Sequence, residues 1–254
     1  MINHIGREYF LRYIQNLFLT VWQEVLQMEY EKLLHWFTDT EMGIYTSSLE
    51  RHFFEHISSS TFSGKSVQFG MEEWLMPSEK CICVGRDIHM HSMAWPWERG
   101  SLDLIVMPHT LDNSLSTPYI LTEAFRALSP EGQLVLTGFN PYSLWRFRNW
   151  FNGKYLPEAH YCHALSDLKN QLSKAGFQIE QGRFMVYLPP VQTKNAIKLF
   201  HFMENAGNRW WPHAAAVYGL VARKRIANIR ISGEWTTTEE NDMEIVLGTA
   251  KVEP

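Results

Sequence analysis

The stretch "LDLIVMPHTLDNSLSTPYILTEAFRALSPEGQLVLT", residues 102–137, decides the fold. It opens on one apolar run, 102–107, and closes on another, 133–137. Runs that stay apolar at consecutive positions suit strands buried on both faces, as in parallel sheets. Between them Thr117 and Pro118 read as a helix start, cap and then first helical position. Ile120, Leu121, Ala124, Phe125 and Leu128 recur at three- and four-residue steps, which predicts one buried helix face. "SPEG", 129–132, is a turn. Strand, helix and strand with short connections make a βαβ unit, which is right-handed in nearly all cases.

Upstream, 67–69 and 81–84 are shorter apolar runs with Gly70 between them. Further back, residues 5–37 carry an amphipathic helical pattern: Phe10, Leu11, Ile14, Leu17, Phe18, Val21, Trp22 and Val25 share one face. The stripe needs a surface to cover. That surface is the domain's own flank, the mouth of a site, or a second copy or protein partner. A second helix is predicted over 48–57, followed by the polar linker "SSSTFSGKS". Downstream, Ser166 caps a helix with Leu168, Leu172 and Ala175 inward and Gly176 at its end. A strand over 177–188, a helix over 194–206 and a strand over 214–222 follow. The expected organisation is an N-terminal helical extension (1–60), an α/β domain (61–225) and a loose polar tail (226–254).

The chain has 254 residues, 45% hydrophobic and 20% charged, as in soluble globular proteins. Its formal charge of −4 draws neither nucleic acid nor acidic lipid globally. Cys81 and Cys83 alternate within an apolar run, and with Cys162 they make an odd, sparse set. They read as core thiols in a reducing, cytoplasmic compartment. The start "MINHIGREYF" lacks a signal-peptide pattern, and no apolar run reaches bilayer length.

From Met93 to Asn140 the sequence resembles the class I S-adenosylmethionine-dependent methyltransferases, in the branch called type 11. Trp95-Pro96-Trp97 stands where the family has a Leu-Pro-Phe-like turn, and Ser101-Leu102-Asp103 where it has a Ser-Phe-Asp-like strand start. Arg126-Ala127-Leu128 and Pro130-Glu131-Gly132 match its Arg-Val-Leu helix end and Pro-Gly-Gly turn. The resemblance implies a Rossmann-like, mostly parallel α/β sheet with helices on both faces. It implies S-adenosylmethionine as cofactor, held by Phe69, Gly70, Met71, Asp87, Trp95, Met107 and His109. The acceptor would be small or lipid-like. His109, just past a strand, is the candidate general base. His91 takes the place of the acid that precedes the adenine-flanking turn.

Two features depart from that pattern. Gly70 stands alone where the family has a Gly-x-Gly turn, and Glu72 and Glu73 follow it. At an effective dielectric of about 20, a carboxylate 4 Å from the cofactor's own carboxylate costs about 4 kcal/mol. The second departure is length. Three crossovers and two strands need about 46 residues, and two crossovers with one strand about 29. Only residues 71–100, thirty in number, are on offer. The sheet is therefore expected to be truncated near its first to third strands. Asp87, 17 residues after Gly70, fits the roughly 20 expected for a ribose-binding acid.

His89 and His91 alternate and could share a strand face, but no third ligand lies at metal-site spacing, so no metal is expected. Trp145, Phe147, Trp150 and Phe151 interleave with Arg146, Arg148 and Lys154, as in a cap helix whose arginine stems cover apolar surface, or in a segment that docks an anionic or lipid-like substrate, lies at a membrane surface or stacks on single-stranded nucleic acid. Two readings stay open: a methyltransferase that works mainly by positioning its acceptor, or a non-catalytic relative that binds a partner on the same fold.

Overall fold

The computed structural model describes residues 30–59, 64–71, 74, 81–88, 90, 95–114, 116–147 and 162–225. The stripe from Phe10 to Val25, Glu72, Glu73, His89, His91, the segment 148–161 and the tail after Arg225 lie outside them.

Six strands form one sheet: β1 (Ser66–Phe69), β2 (Cys81–Val84), β3 (Leu102–Pro108), β4 (Leu128–Phe139), β5 (Phe177–Met185) and β6 (Val217–Lys224). Their spatial order is β2-β1-β3-β4-β6-β5. The first four are parallel, and β6 runs antiparallel to both β4 and β5. This is the expected Rossmann-like sheet. Among the described residues only β2 lies between β1 and β3 in sequence, as thirty residues allow. The chain leaves β1 to one side for β2, then returns across it to β3. The switch point, where such sheets bind ligands, is therefore at the carboxyl ends of β1 and β3.

Alternation along the strands builds two cores. Leu104, Val106, Val135, Phe139, Val217 and Val221 point to one face, and Ile105, Met107, Leu134, Leu136, Leu220 and Ala222 to the other. The second face is covered by α3 (Thr117–Ala127) and α4 (Leu165–Lys174), through Ile120, Leu121, Ala124, Leu168 and Leu172. The first is covered by the helix over 30–39, here α1, and by α2 (Glu41–Ser59). Leu33, Trp36 and Phe37 of α1 join Met42, Phe53, Phe54 and Ile57 of α2 there. Burying a large apolar side chain contributes about 1.5–3 kcal/mol, so the three α1 residues anchor that helix by roughly 5 kcal/mol or more.

Several boundaries differ from the sequence reading. α2 starts seven residues before 48, because Thr40 caps it: its Oγ1 accepts the Gly43 N–H at 2.9 Å. Ser116 rather than Thr117 is the cap residue of α3, and Ala164 rather than Ser166 that of α4. The single helix expected over 194–206 is two, α5 (Lys194–Phe200) and α6 (Phe202–Trp210), parted at His201. Strand β5 stops at Met185 and β6 starts at Val217, with α5 and α6 between them.

Candidate functional site

The turn after β1 is held from four sides. Gly70 donates its N–H to the Val84 carbonyl at 3.1 Å, and Met71 donates its N–H to the Tyr30 hydroxyl. The Gln68 side-chain amide donates to the carbonyls of Gly70 and Met71, at 2.7 and 2.5 Å. Trp74 adds its N–H to Met71 O at 2.9 Å. Every backbone polar group of Gly70 and Met71 thus has a partner within the chain. Gly70 (φ 64°) and Met71 (φ 47°) both lie in the left-handed region, which suits glycine and strains methionine. The Tyr30 ring lies where a Gly70 Cβ would project.

Across the switch point, His109 follows β3 with φ 49° and is fully buried. Its Nδ1 is 2.8 Å from Asp112 Oδ2, and its Nε2 is 2.9 and 3.1 Å from the two oxygens of Glu50 on α2. Ionised carboxylates only accept, so both ring nitrogens donate. Burial alone would lower the imidazole's pKa. The nearby Glu50 charge and the hydrogen bonds to Asp112 and Glu50 outweigh it and push the value up to about 9. Asp112 Oδ2 also takes the Phe139 N–H at 2.9 Å. The ring is boxed in by Phe139, Phe37 and Trp74, with centroids 4.0, 5.2 and 6.1 Å away. With Nδ1 on Asp112 and Nε2 on Glu50, His109 bridges α2 and the β3 end.

The residues assigned to a cofactor by resemblance do not converge. Met71 and His109 lie on the first face, both against Trp74, with Gly70 next to Met71 in the turn. Phe69 and Met107 point to the second face because of the period-two alternation, and Trp95 packs there on Phe69 at a ring separation of 4.7 Å. Asp87 serves its own turn, accepting the Cys83 N–H at 2.9 Å and pairing with Arg86 at 2.8 Å. The Arg86 hydrogen bonds hold its pKa down to about 2. Among the described residues no cluster of His, Cys, Asp or Glu could hold a metal ion.

Tyr30, Glu50, Phe37, Trp74 and Asp112 escaped the sequence reading. Glu50 left one signal: a carboxylate three and four residues before Phe53 and Phe54, inside the buried face of its helix. Asp112 left another, one helical turn beyond His109.

No known protein family and no curated protein matches the chain by sequence. Solved structures match by shape. A chain of the complex between the Haloferax volcanii Trm112 methyltransferase activator and its methyltransferase superposes with a TM-score of 0.50 at 10% identity, over 76% of this chain and 98% of that one. The fold is the Rossmann-like methyltransferase fold. An S-adenosylmethionine-dependent methyltransferase from Thermotoga maritima has TM-score 0.47 and 17% identity, over 70% of this chain and 95% of that chain. Haemonchus contortus phosphoethanolamine N-methyltransferase 2, solved with S-adenosylhomocysteine, has TM-score 0.46 and 11% identity, covering 76% of this chain and 59% of that one. At these identities the methyltransferase likeness is one of architecture.

Proposed function

We propose that this methyltransferase-fold protein acts as a binding or interaction module that does not turn over S-adenosylmethionine. One observation carries the reading: the chain's own groups occupy the place and the polar partners the cofactor would use. A cofactor at the β1 turn needs free backbone groups and room beside the glycine. Here Tyr30, Gln68, Val84 and Trp74 take the backbone groups of Gly70 and Met71, and Tyr30 stands against Gly70. The residues present do not fit the cofactor with α1 in place. Its partner would be a protein or another small molecule, met in the cytoplasm, where Cys81, Cys83 and Cys162 stay reduced.

Energetics support the same reading. A ligand that must first detach α1 forfeits roughly 5 kcal/mol, more than a thousandfold in affinity. A site with micromolar intrinsic affinity would then bind in the millimolar range or weaker.

A second reading, methyl transfer to a small or lipid-like acceptor after α1 moves aside, is favoured by one observation. Met71 and His109, both non-glycine, hold positive φ on facing strand ends. Such strain often collects at ligand sites.

Titration calorimetry of the full chain with S-adenosylmethionine and S-adenosylhomocysteine separates the two readings. The first predicts no heat of binding at micromolar ligand. A micromolar dissociation constant for either ligand retires it.

A further inference from the structure

The helices between β5 and β6 leave most of their surface to solvent. α5 buries none of its seven residues, and α6 buries only Gly207 of its nine. Helices this short are marginal in water and normally persist by burying an apolar face. Ile197 and Phe200 lean on the first core, but Leu199, Phe202, Trp210 and Trp211 remain 69%, 64%, 71% and 43% exposed. Scattered exposed apolar residues are ordinary on any protein surface, but four within thirteen positions of one excursion are not.

Charge gives the occupant its chemistry. In the full chain acids outnumber Lys and Arg, 27 to 23. Over 194–211 the balance reverses: Lys194, Lys198 and Arg209 stand against one acid, Glu204. Glu204 is partly buried and accepts the Tyr187 N–H at 3.0 Å, so it is turned toward the chain rather than outward, and burial pushes its pKa up. Lys194, Lys198 and Arg209 are all exposed, and Lys194 is paired with Glu41 at 3.6 Å. The Arg209 guanidinium lies 5.8 Å from the centre of the Trp210 ring. Exposed Trp and Phe beside Lys and Arg, on short helices with few acids, is the composition of segments that lie in a lipid–water interface.

We propose that α5 and α6 dock this protein on an anionic lipid surface, with Leu199, Phe202, Trp210 and Trp211 entering the interface and Lys198 and Arg209 meeting the lipid phosphates. The inference is independent of whether the β1–β3 cleft takes a cofactor. The attraction is local, so the net negative charge does not prevent it: at 0.1 M salt the Debye length is about 10 Å, and distant acids are screened.

Co-sedimentation of the full chain with vesicles tests it. Binding is expected to vesicles containing one-third phosphatidylglycerol and to be weak on phosphatidylcholine alone, and to decline as salt is raised. The double variant Phe202→Ser, Trp210→Ser should lower partitioning by about tenfold or more. Lys198→Glu with Arg209→Glu should abolish the preference for the anionic vesicles. Tyr119→Ser, on α3 at the opposite face, should leave both unchanged. No binding to either vesicle, or equal binding before and after the Phe202 and Trp210 substitutions, overturns the proposal. So does a fall in melting temperature or in oligomer mass for that double variant without lipid, since either shows the face covered by this chain itself or by a second copy.

Discussion

Replacing His109 by Ala is expected to lower unfolding free energy by about 3–5 kcal/mol, the usual result of removing one member of a buried ion pair. The loss comes from what remains. Glu50 and Asp112 would face a fully buried space with no cation between them. For a chain of this size each kcal/mol moves the melting temperature by about 2–4 °C, so a fall of roughly 6–20 °C should appear in a thermal scan. The wild type should also carry a pH signature. The imidazole's pKa rises from 6.5 in the unfolded chain to about 9 in the fold. The proton is thus bound more tightly when folded. Its contribution is full below pH 6.5 and disappears as pH climbs through 9. Denaturant midpoints taken from about pH 6 to 10 should decline over that window in the wild type and stay flatter in His109→Ala. Equal slopes, or a loss below about 1 kcal/mol, would mean that the bridge is not formed.

Gly70→Ala is the second large effect, expected at about 2–5 kcal/mol. Left-handed backbone costs an alanine about 1–2 kcal/mol. The new Cβ must also push the Tyr30 ring away, leaving the Met71 N–H without its acceptor, a further cost of about 1–3 kcal/mol. Gly100→Ala supplies the comparison. Its φ is similar, 71°, but a Cβ there meets nothing closer than 3.9 Å. Only the backbone strain should appear, about 1–2 kcal/mol. Urea unfolding of both variants, with Tyr30→Phe to complete a double-mutant cycle at Gly70, isolates the contact. Identical losses at Gly70 and Gly100 would show that Tyr30 does not seal the turn.

The sheet was legible because its central strands, β1, β3, β4 and β6, are largely buried on both faces, and a continuous apolar run such as "LDLIVM", bounded by turns, suits little else. That only β2 lies between β1 and β3 among the described residues agrees with chain length, since two strands and three crossovers need about 46 residues where thirty are on offer. The site was not, for reasons of geometry. Phe69 and Met71 are two residues apart, which on an uninterrupted strand would place them on one face. The strand ends between them, and the left-handed turn at Gly70 sends Met71 to the opposite core. Asp87 has the spacing of a ribose-binding acid, and nothing in that spacing reveals that Arg86, its neighbour, engages it first. Glu50 lies 59 residues before His109, and no local pattern joins two such positions. The stripe from Phe10 to Val25 lies outside the described residues; the helix over 30–39, at the end of the pattern read over 5–37, packs Leu33, Trp36 and Phe37 on the first core.

A crystal of the full chain soaked in millimolar S-adenosylhomocysteine puts the closed cleft to its most direct test. The expected map keeps the Tyr30 hydroxyl on the Met71 amide and the Phe37 and Trp74 rings against His109, with no ligand density beside Gly70. Adenosyl density between Gly70 and His109, with α1 displaced from the sheet, would contradict it.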